Sequence, residues 1–249
     1  MHPVLIDGIL YDTENGYEYT VISCEEGVEN AVIRLTVNGL PVRGIGENAF
    51  ENRKALKTVS FIDFSDDLSV NAEGFFVEEY AFSGCSSLAE IELPDFCNSV
   101  GRGAFRSCTS LKRAVLYNSY VAPYAFCGCT ALTEVSPLSN LSEGVFSHCE
   151  TLTCLPICDA VEEIDEGAFE HCYSLTEITI PKSVKRIVAL AFRSCRSVTS
   201  ITFEDIKGWY SHSFYTNQEY PIDVSDAKNN AIALSGMDYD DGITAWYKK

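Results

Sequence analysis

The chain has 249 residues, 46% of them hydrophobic, enough for one continuous core or two small domains. Its 36 Asp and Glu against 18 Lys and Arg give a formal net charge of −18, and a surface this acidic repels phosphate backbones and anionic headgroups, which argues against nucleic acid and peripheral membrane partners. No stretch reaches the roughly 18 apolar residues a bilayer span needs, so no membrane insertion is expected, and the start, MHPVLIDGILYDTENG, lacks the basic and apolar regions of a signal peptide.

Residues 1–44 alternate in polarity as GILYDTENGYEYTVISCEEG and AVIRLTVNGLPVRGI, with Asn15-Gly16 and Asn38-Gly39 as turn signals, and predict an N-terminal cap of β-hairpins. From residue 45 to 205 one pattern recurs. Ala-Phe stands at 49–50, 81–82, 104–105, 125–126, 168–169 and 191–192, and Val145-Phe146 fills the remaining slot. The phenylalanines are 32, 23, 21, 20, 23 and 23 residues apart. Periods of this size indicate a solenoid whose units stack on their neighbours.

Other columns keep step with the Phe. Five residues before it stand Ile45, Val77, Val100, Val121, Leu141, Ile164 and Ile187, and six after it Leu56, Leu88, Leu111, Leu132, Leu152, Leu175 and Val198. Nine after it stand Val59, Ile91, Ala114, Val135, Leu155, Ile178 and Ile201, and eleven after it Phe61, Leu93, Leu116, Pro137, Ile157, Ile180 and Phe203. The last two columns alternate with mostly polar residues, the period-2 mark of a half-buried strand. The fold class expected is therefore a leucine-rich-repeat solenoid, mainly β with short turns or single helical turns and a curved parallel sheet of about seven strands. The first interval is long, and its excess falls in the acidic stretch 62–76, read as a loop insertion. Pro137 has no N–H for a ladder, so the strand near 133–138 is expected to be short. Residues 206–249 are expected to fold over the last rung as an aromatic cap, with a degenerate eighth unit starting at Trp209 and carrying Phe214.

Six of the eleven cysteines stand three residues after the Phe: Cys85, Cys108, Cys129, Cys149, Cys172 and Cys195. They read as buried free thiols within reach of backbone carbonyls, because stacked side chains pointing one way rarely meet the disulfide dihedral. Cys127-Gly128-Cys129 and Cys154…Cys158 lack the paired CxxC spacing of structural zinc, and His148 and His171, both two residues after a Phe, are too few for a strong metal site. The carboxylates Glu162, Glu163, Asp165 and Glu166, and Asp238, Asp240 and Asp241, lack calcium-loop order and read as solvated faces. No metal, cofactor or catalytic residue is expected, and no His pairs with a Ser or Cys nucleophile and an orienting acid.

The repeat reads V..I...AF..C.SL..I.IP, with good copies in VEEYAFSGCSSLAEIELP and IDEGAFEHCYSLTEITIPKSVKRIVALAFRSCRSVTSITF. This is similar to the BspA-like leucine-rich-repeat family over roughly residues 40–205. The segments FEDIKGWYSHSF, DVSDAKNNAIAL and WYKK also resemble the ends of such proteins in gut bacteria. The resemblance implies a curved solenoid, a bacterial cell-surface or secreted protein, and adhesion to host matrix proteins or to other bacteria. It carries over no catalytic residue.

A ligand is expected on the strand face. The outward positions eight and ten after the Phe give Thr58, Ser60, Glu90, Glu92, Arg113, Val115, Glu134, Ser136, Glu177, Thr179, Ser200 and Thr202, with Cys154 and Pro156 on the same pattern. The face is acidic and hydroxyl-rich, Arg113 is its lone cation between Glu90 and Glu134, and there is no aromatic row for sugars or bases. The function expected is a non-enzymatic, monomeric module that binds or adheres to a protein partner. The alternatives are a structural repeat domain without specific ligand and an intracellular interaction scaffold. Because Phe126 stands in the middle of the stack, Phe126→Ala should cost ~3–5 kcal/mol of unfolding free energy in denaturant titration.

Overall fold

The computed structural model describes residues 3–62, 74–117, 119–154, 156–213, 215–236 and 243–249. Most of the insertion (63–73), Leu155, Phe214 and the trio Asp238, Asp240 and Asp241 lie outside the described residues.

At the N-terminus β1 (Val4–Ile6) and β2 (Ile9–Asp12) form a hairpin, and β2 pairs antiparallel with β3 (Tyr19–Cys24). The hairpin turns on Asp7-Gly8, both at positive φ as a tight two-residue turn requires, a turn signal the sequence analysis did not single out. β4 (Asn30–Arg34) follows, and then β5 (Thr36–Val37) joins β6 (Leu40–Ile45) through the expected Asn38-Gly39 turn. The segment is more than hairpins: β3 runs parallel to β6, and β4 runs parallel to β7 (Thr58–Ile62). It thus contributes a first coil without an Ala-Phe pair. Tyr11 and Tyr19 are fully buried there, and the Tyr11 hydroxyl accepts the Arg34 amide at 3.0 Å.

Beyond β7 the strands alternate between two legs of each coil. β8 (Phe75–Val77), β10 (Cys97–Val100) and β12 (Tyr120–Val121) continue the leg of β6. β9 (Glu90–Glu92), β11 (Arg113–Val115) and β13 (Glu134–Val135) form the other leg. After a gap, β14 (Glu163–Ile164) and β16 (Arg186–Val188) resume the first leg, and β15 (Glu177–Ile180) and β17 (Ser200–Phe203) the second. The residues five before each Phe point inward from the first leg and are buried.

The turn between the legs repeats almost without variation. The residues two before and two after each Phe adopt positive φ, from Asn48 and Asn52 in the first unit to Leu190 and Ser194 in the last. In consecutive units each Phe N–H donates to the carbonyl of the residue preceding the next Phe, as in Phe50 to Ala81 (2.7 Å) and Phe126 to Val145 (3.0 Å). The seven rings form an unbroken stack, with centroids 4.9 Å apart for Phe50 and Phe82 and 5.7 Å for Phe126 and Phe146. Each column thiol donates to the carbonyl of the preceding unit's Phe, at 3.0 Å for Cys85 to Phe50 and 3.2 Å for Cys149 to Phe126. The expectation of free thiols reaching backbone carbonyls holds for all six. At Phe minus two, Tyr80 and Tyr124 are each followed in the next unit by a glycine that makes room for the ring: a Cβ on Gly103 would fall 2.5 Å from the Tyr80 ring, and one on Gly144 2.4 Å from the Tyr124 ring.

The strand ladders are less continuous than the turn. The second leg divides into β4–β7, β9–β11–β13 and β15–β17, not one sheet of seven strands. Single bridges, Leu138 to Ile157 and Leu141 to Ile164, span the gap on the two legs. The cause is local. Pro137 and Pro156 lack ladder donors, and the unit between Phe126 and Phe146 is the shortest, which shifts the register by one. Leu138 takes the buried position that the repeat pattern assigned to Pro137, and Pro137 is exposed. Asn140 replaces part of the missing ladder, its side chain accepting from the Val121 amide at 3.0 Å and donating to the Val121 carbonyl at 2.7 Å.

The C-terminal segment closes the stack. β18 (Trp209–Ser213) and β19 (Gln218–Pro221) form a hairpin, α1 (Ala227–Gly236) packs against β17, and β20 (Ile243–Lys248) runs antiparallel to both β16 and β18. Trp209 therefore begins an antiparallel cap, not an eighth coil: the strands on either side of it reverse direction. Asp226 caps the helix by accepting the Lys228 and Asn229 amides at 3.0 and 3.1 Å. Ser194 N–H, which in earlier units would reach the next coil, donates to Ser235 at 3.0 Å. The buried Asn230 donates to the carbonyls of Ile201 and Val224 at 2.9 and 2.8 Å. Phe203 meets Trp209 edge-on at 4.8 Å and Trp246 at 6.2 Å, and Lys248 pairs with Asp205.

Burial pushes the Cys85 and Cys195 thiols up to about 12, and the Cys149 and Cys172 thiols well above the ordinary range. A thiol reagent such as Ellman's should therefore react promptly with the exposed Cys154 in the native protein. The six column cysteines should react only when denaturant unfolds the chain, and prompt native labelling of any of the six would contradict the packing described.

Candidate functional site

The strand face of the second leg is built rung by rung. In β9, β11 and β13 the inward residues Ile91, Ala114 and Val135 alternate with the outward Glu90, Glu92, Arg113, Val115 and Glu134. The register sets Arg113 opposite both Glu90 and Glu134, as the spacing predicts, and Val115 opposite Glu92. The side chain chooses differently on one side. Arg113 Nε lies 3.3 Å from Glu134 Oε1, whereas its Nη1 lies 3.6 Å from Glu92 Oε2, a diagonal contact that passes over Glu90. Such exposed pairs contribute roughly 0–1 kcal/mol to stability, so the arrangement positions charge more than it holds the fold.

An open depression of roughly 530 Å³ lies across the first of these rungs and joins Thr58, Ser60, Glu90, Glu92 and Arg113 to Asp95 and Tyr117. Asp95 and Tyr117 are residues the sequence analysis missed. Both follow a strand end, where the period-2 pattern stops, so position alone did not mark them; an aromatic one residue beyond the inward Leu116 is the signal that could have. The Tyr117 hydroxyl donates to Glu92 Oε1 at 2.9 Å, and that carboxylate raises the phenol's pKa. One aromatic residue thus borders a face expected to have no aromatic row.

The other outward residues lie elsewhere. Thr58 donates to Asn30 Oδ1 at 2.8 Å, across the β4–β7 pair. Ser136 accepts the Leu116 amide at 2.9 Å and so substitutes for a ladder bond. Glu177 faces Ser200, and the hydroxyls of Thr179 and Thr202 meet at 3.2 Å, on the separate β15–β17 pair. The break after β13 keeps Glu177, Thr179, Ser200 and Thr202 in a different ladder from Arg113 and its partners. Cys154 is exposed outside any strand, and Pro156 is buried, not outward as its place in the repeat suggested.

His148 and His171 stack at 4.3 Å on the turn edge, where their common place in the repeat puts them. His171 Nδ1 lies 3.1 Å from the Tyr173 hydroxyl and its Nε2 3.6 Å from Glu170. Among the described residues no three His, Cys, Asp or Glu side chains converge to hold a metal ion, and no helix is long and apolar enough to cross a membrane.

These features define a parallel β-solenoid of leucine-rich-repeat type, with a tight Phe- and Cys-bearing turn in each coil. The profile of the BspA-type leucine-rich-repeat region matches in six copies spread over residues 34–136, 66–175 and 116–220, and the chain belongs to that family. No functionally curated protein matches it significantly. Among solved structures it resembles a leucine-rich repeat protein of Treponema pallidum (T. pallidum), with 25% identity and a TM-score of 0.52 over 70% of this chain and 91% of that one. It also resembles a leucine-rich cell surface protein of Faecalibacterium prausnitzii, with 21% identity and a TM-score of 0.54 over 89% of this chain and 62% of that one. The chain therefore spans less than two thirds of the F. prausnitzii protein. Leucine-rich-repeat proteins generally mediate protein–protein interaction and are typically non-catalytic.

Burial first, and then the neighbouring His148, lower the His171 pKa below its ordinary 6.5. The unfolded chain then takes up this proton more readily than the folded one, so the contribution is intact above about pH 6.5 and is lost as pH falls through the lowered value. His171→Asn, which keeps a residue tolerant of the positive φ at this position, should flatten the fall in thermal midpoint between pH 7.5 and 5; an unchanged pH profile would remove His171 as its source.

Proposed function

We propose that the protein is a bacterial surface-associated binding module that holds a basic protein segment on the strand face of its second leg. The partner is a host matrix protein or a surface protein of another bacterium. The observation that carries the reading is the depression framed by Glu90, Glu92, Asp95 and Tyr117, whose only lining cation among the described residues, Arg113, is already committed to Glu92 and Glu134. A partner's Lys or Arg therefore meets carboxylates that are exposed and not fully neutralised, and the net charge of −18 steers it there.

The residues proposed to contact the partner are Thr58, Ser60, Glu90, Glu92, Arg113, Val115, Glu134 and Ser136, with Glu177, Thr179, Ser200 and Thr202 extending the surface along the stack. Two points support the reading: the family's general role in protein interaction, and the likeness to a cell surface protein of F. prausnitzii.

Biolayer interferometry against a panel of extracellular matrix and bacterial surface proteins tests it. At least one basic partner should bind more tightly than ~10 μM, roughly −7 kcal/mol. Glu92→Lys should weaken that binding about tenfold, roughly 1.4 kcal/mol, and raised salt should weaken it further. Partners that bind with no sensitivity to Glu92→Lys would move the site off this face, and no binding across the panel would overturn the function.

A further inference from the structure

We propose that the first leg carries a second docking surface, one that takes a proline-rich peptide in the polyproline II conformation with an adjoining basic residue. The outward face of this leg differs in kind from the strand face. Over β8, β10 and β12 its large exposed apolar side chains are Phe76 and Tyr120, 41% and 55% exposed. Ser99 pairs with Phe76 on one side and with Tyr120 on the other, so the two rings stand two rungs apart with a serine between them. At the usual strand spacing that is about 9.6 Å.

Polyproline II repeats every three residues at about 3.1 Å each, or about 9.3 Å per turn. Prolines three apart on such a peptide, laid along the stack, would each meet one ring. The floor is shaped to let the peptide approach. Gly101 lies beside Ser99, and a Cβ there would fall 2.6 Å from the Glu78 backbone, so the close approach of the strands leaves the floor bare. Phe76, Ser99, Gly101, Ala122 and Pro123 line a depression of about 630 Å³, and Tyr120 borders the next, of about 360 Å³.

Charge selects the partner further. Glu47, Glu78 and Glu79 rim the first depression; at the second, Glu162 and Glu163 are ion-paired with Lys185 and Arg186, and Asp165 adds a further carboxylate. One cation, Arg102, lines the first depression, and its guanidinium lies over the Tyr124 ring at 4.7 Å. A neutral glycan could stack on the two rings and hydrogen-bond the carboxylates, but only a Lys or Arg flanking the prolines adds attraction between opposite charges.

The test is fluorescence polarisation of the full chain with a labelled peptide of about ten residues, its prolines three apart and two arginines at one end. Binding on the order of 10–100 μM is expected. Phe76→Ala and Tyr120→Ala should each weaken it about tenfold without moving the thermal midpoint, since both side chains are exposed. Phe76→Leu and Tyr120→Leu, which keep apolar bulk without a ring, should weaken it as well. Arg113→Ala, on the other sheet, should leave it unchanged, so this surface and the strand face can fail separately. No binding at ~1 mM, affinity indifferent to both ring substitutions, or competition by a neutral oligosaccharide as strong as by unlabelled peptide would each overturn the proposal.

Discussion

The continuous column at the coil turns is the constraint on which the rest of the structure depends. Seven phenylalanine rings stack face to face, each N–H of the column reaches the next coil, and each thiol reaches the previous one. None of these contacts exists within a single unit. A lone coil would expose its Phe and leave its turn carbonyls and amides without partners, so the fold is stable only as an array. The small thiol suits its place because a larger side chain would push adjacent coils apart, and a hydroxyl would carry a greater desolvation cost in a column this dry.

The turn tolerates no insertion, whereas the legs do. Two positions per unit hold positive φ, and the residues there range from Asn and Gly to Tyr, His and Leu. The non-glycine members are held by the hydrogen bonds of the column and by packing such as Tyr80 over Gly103. The strand ladders, by contrast, break where Pro137 and Pro156 remove donors, and Asn140 patches the gap with its side chain. The stack survives this interruption because the ring and thiol column passes through it intact, with Phe126, Phe146 and Phe169 still in contact.

This division of labour leaves the outward faces free to vary. On the second leg the outward residues are charged and hydroxylated, and the interrupted ladder separates the Arg113 cluster from the Thr179–Thr202 pair. On the first leg β8, β10 and β12 present two exposed rings with Ser99 between them, and β14 and β16 carry the Glu163–Arg186 ion pair. Two chemically different surfaces thus rest on one core, each with its own rim of carboxylates. The ends are closed by different means: hairpins and a coil without Ala-Phe at the start, and a capped helix with an antiparallel strand at the end, which covers the last rungs of both legs.

The sequence by itself determined the coil, because a column that must be filled in every unit leaves a periodic trace. The Phe, Leu and Cys columns, the outward positions of β9 and β11, and the stacking of His148 on His171 were all legible from spacing. Tertiary structure decided what does not repeat. The one-residue shift that buries Leu138 and exposes Pro137, the diagonal choice of Glu92 by Arg113, and the arrival of Tyr117 beside Glu92 each depend on neighbours brought together from different coils. So does the closure of the C-terminus, where Ser235 takes the place of a coil that is not there. Period fixes which side chains face the interior, because burial is shared by every unit; contacts between exposed side chains are fixed only by the three-dimensional distances that packing leaves.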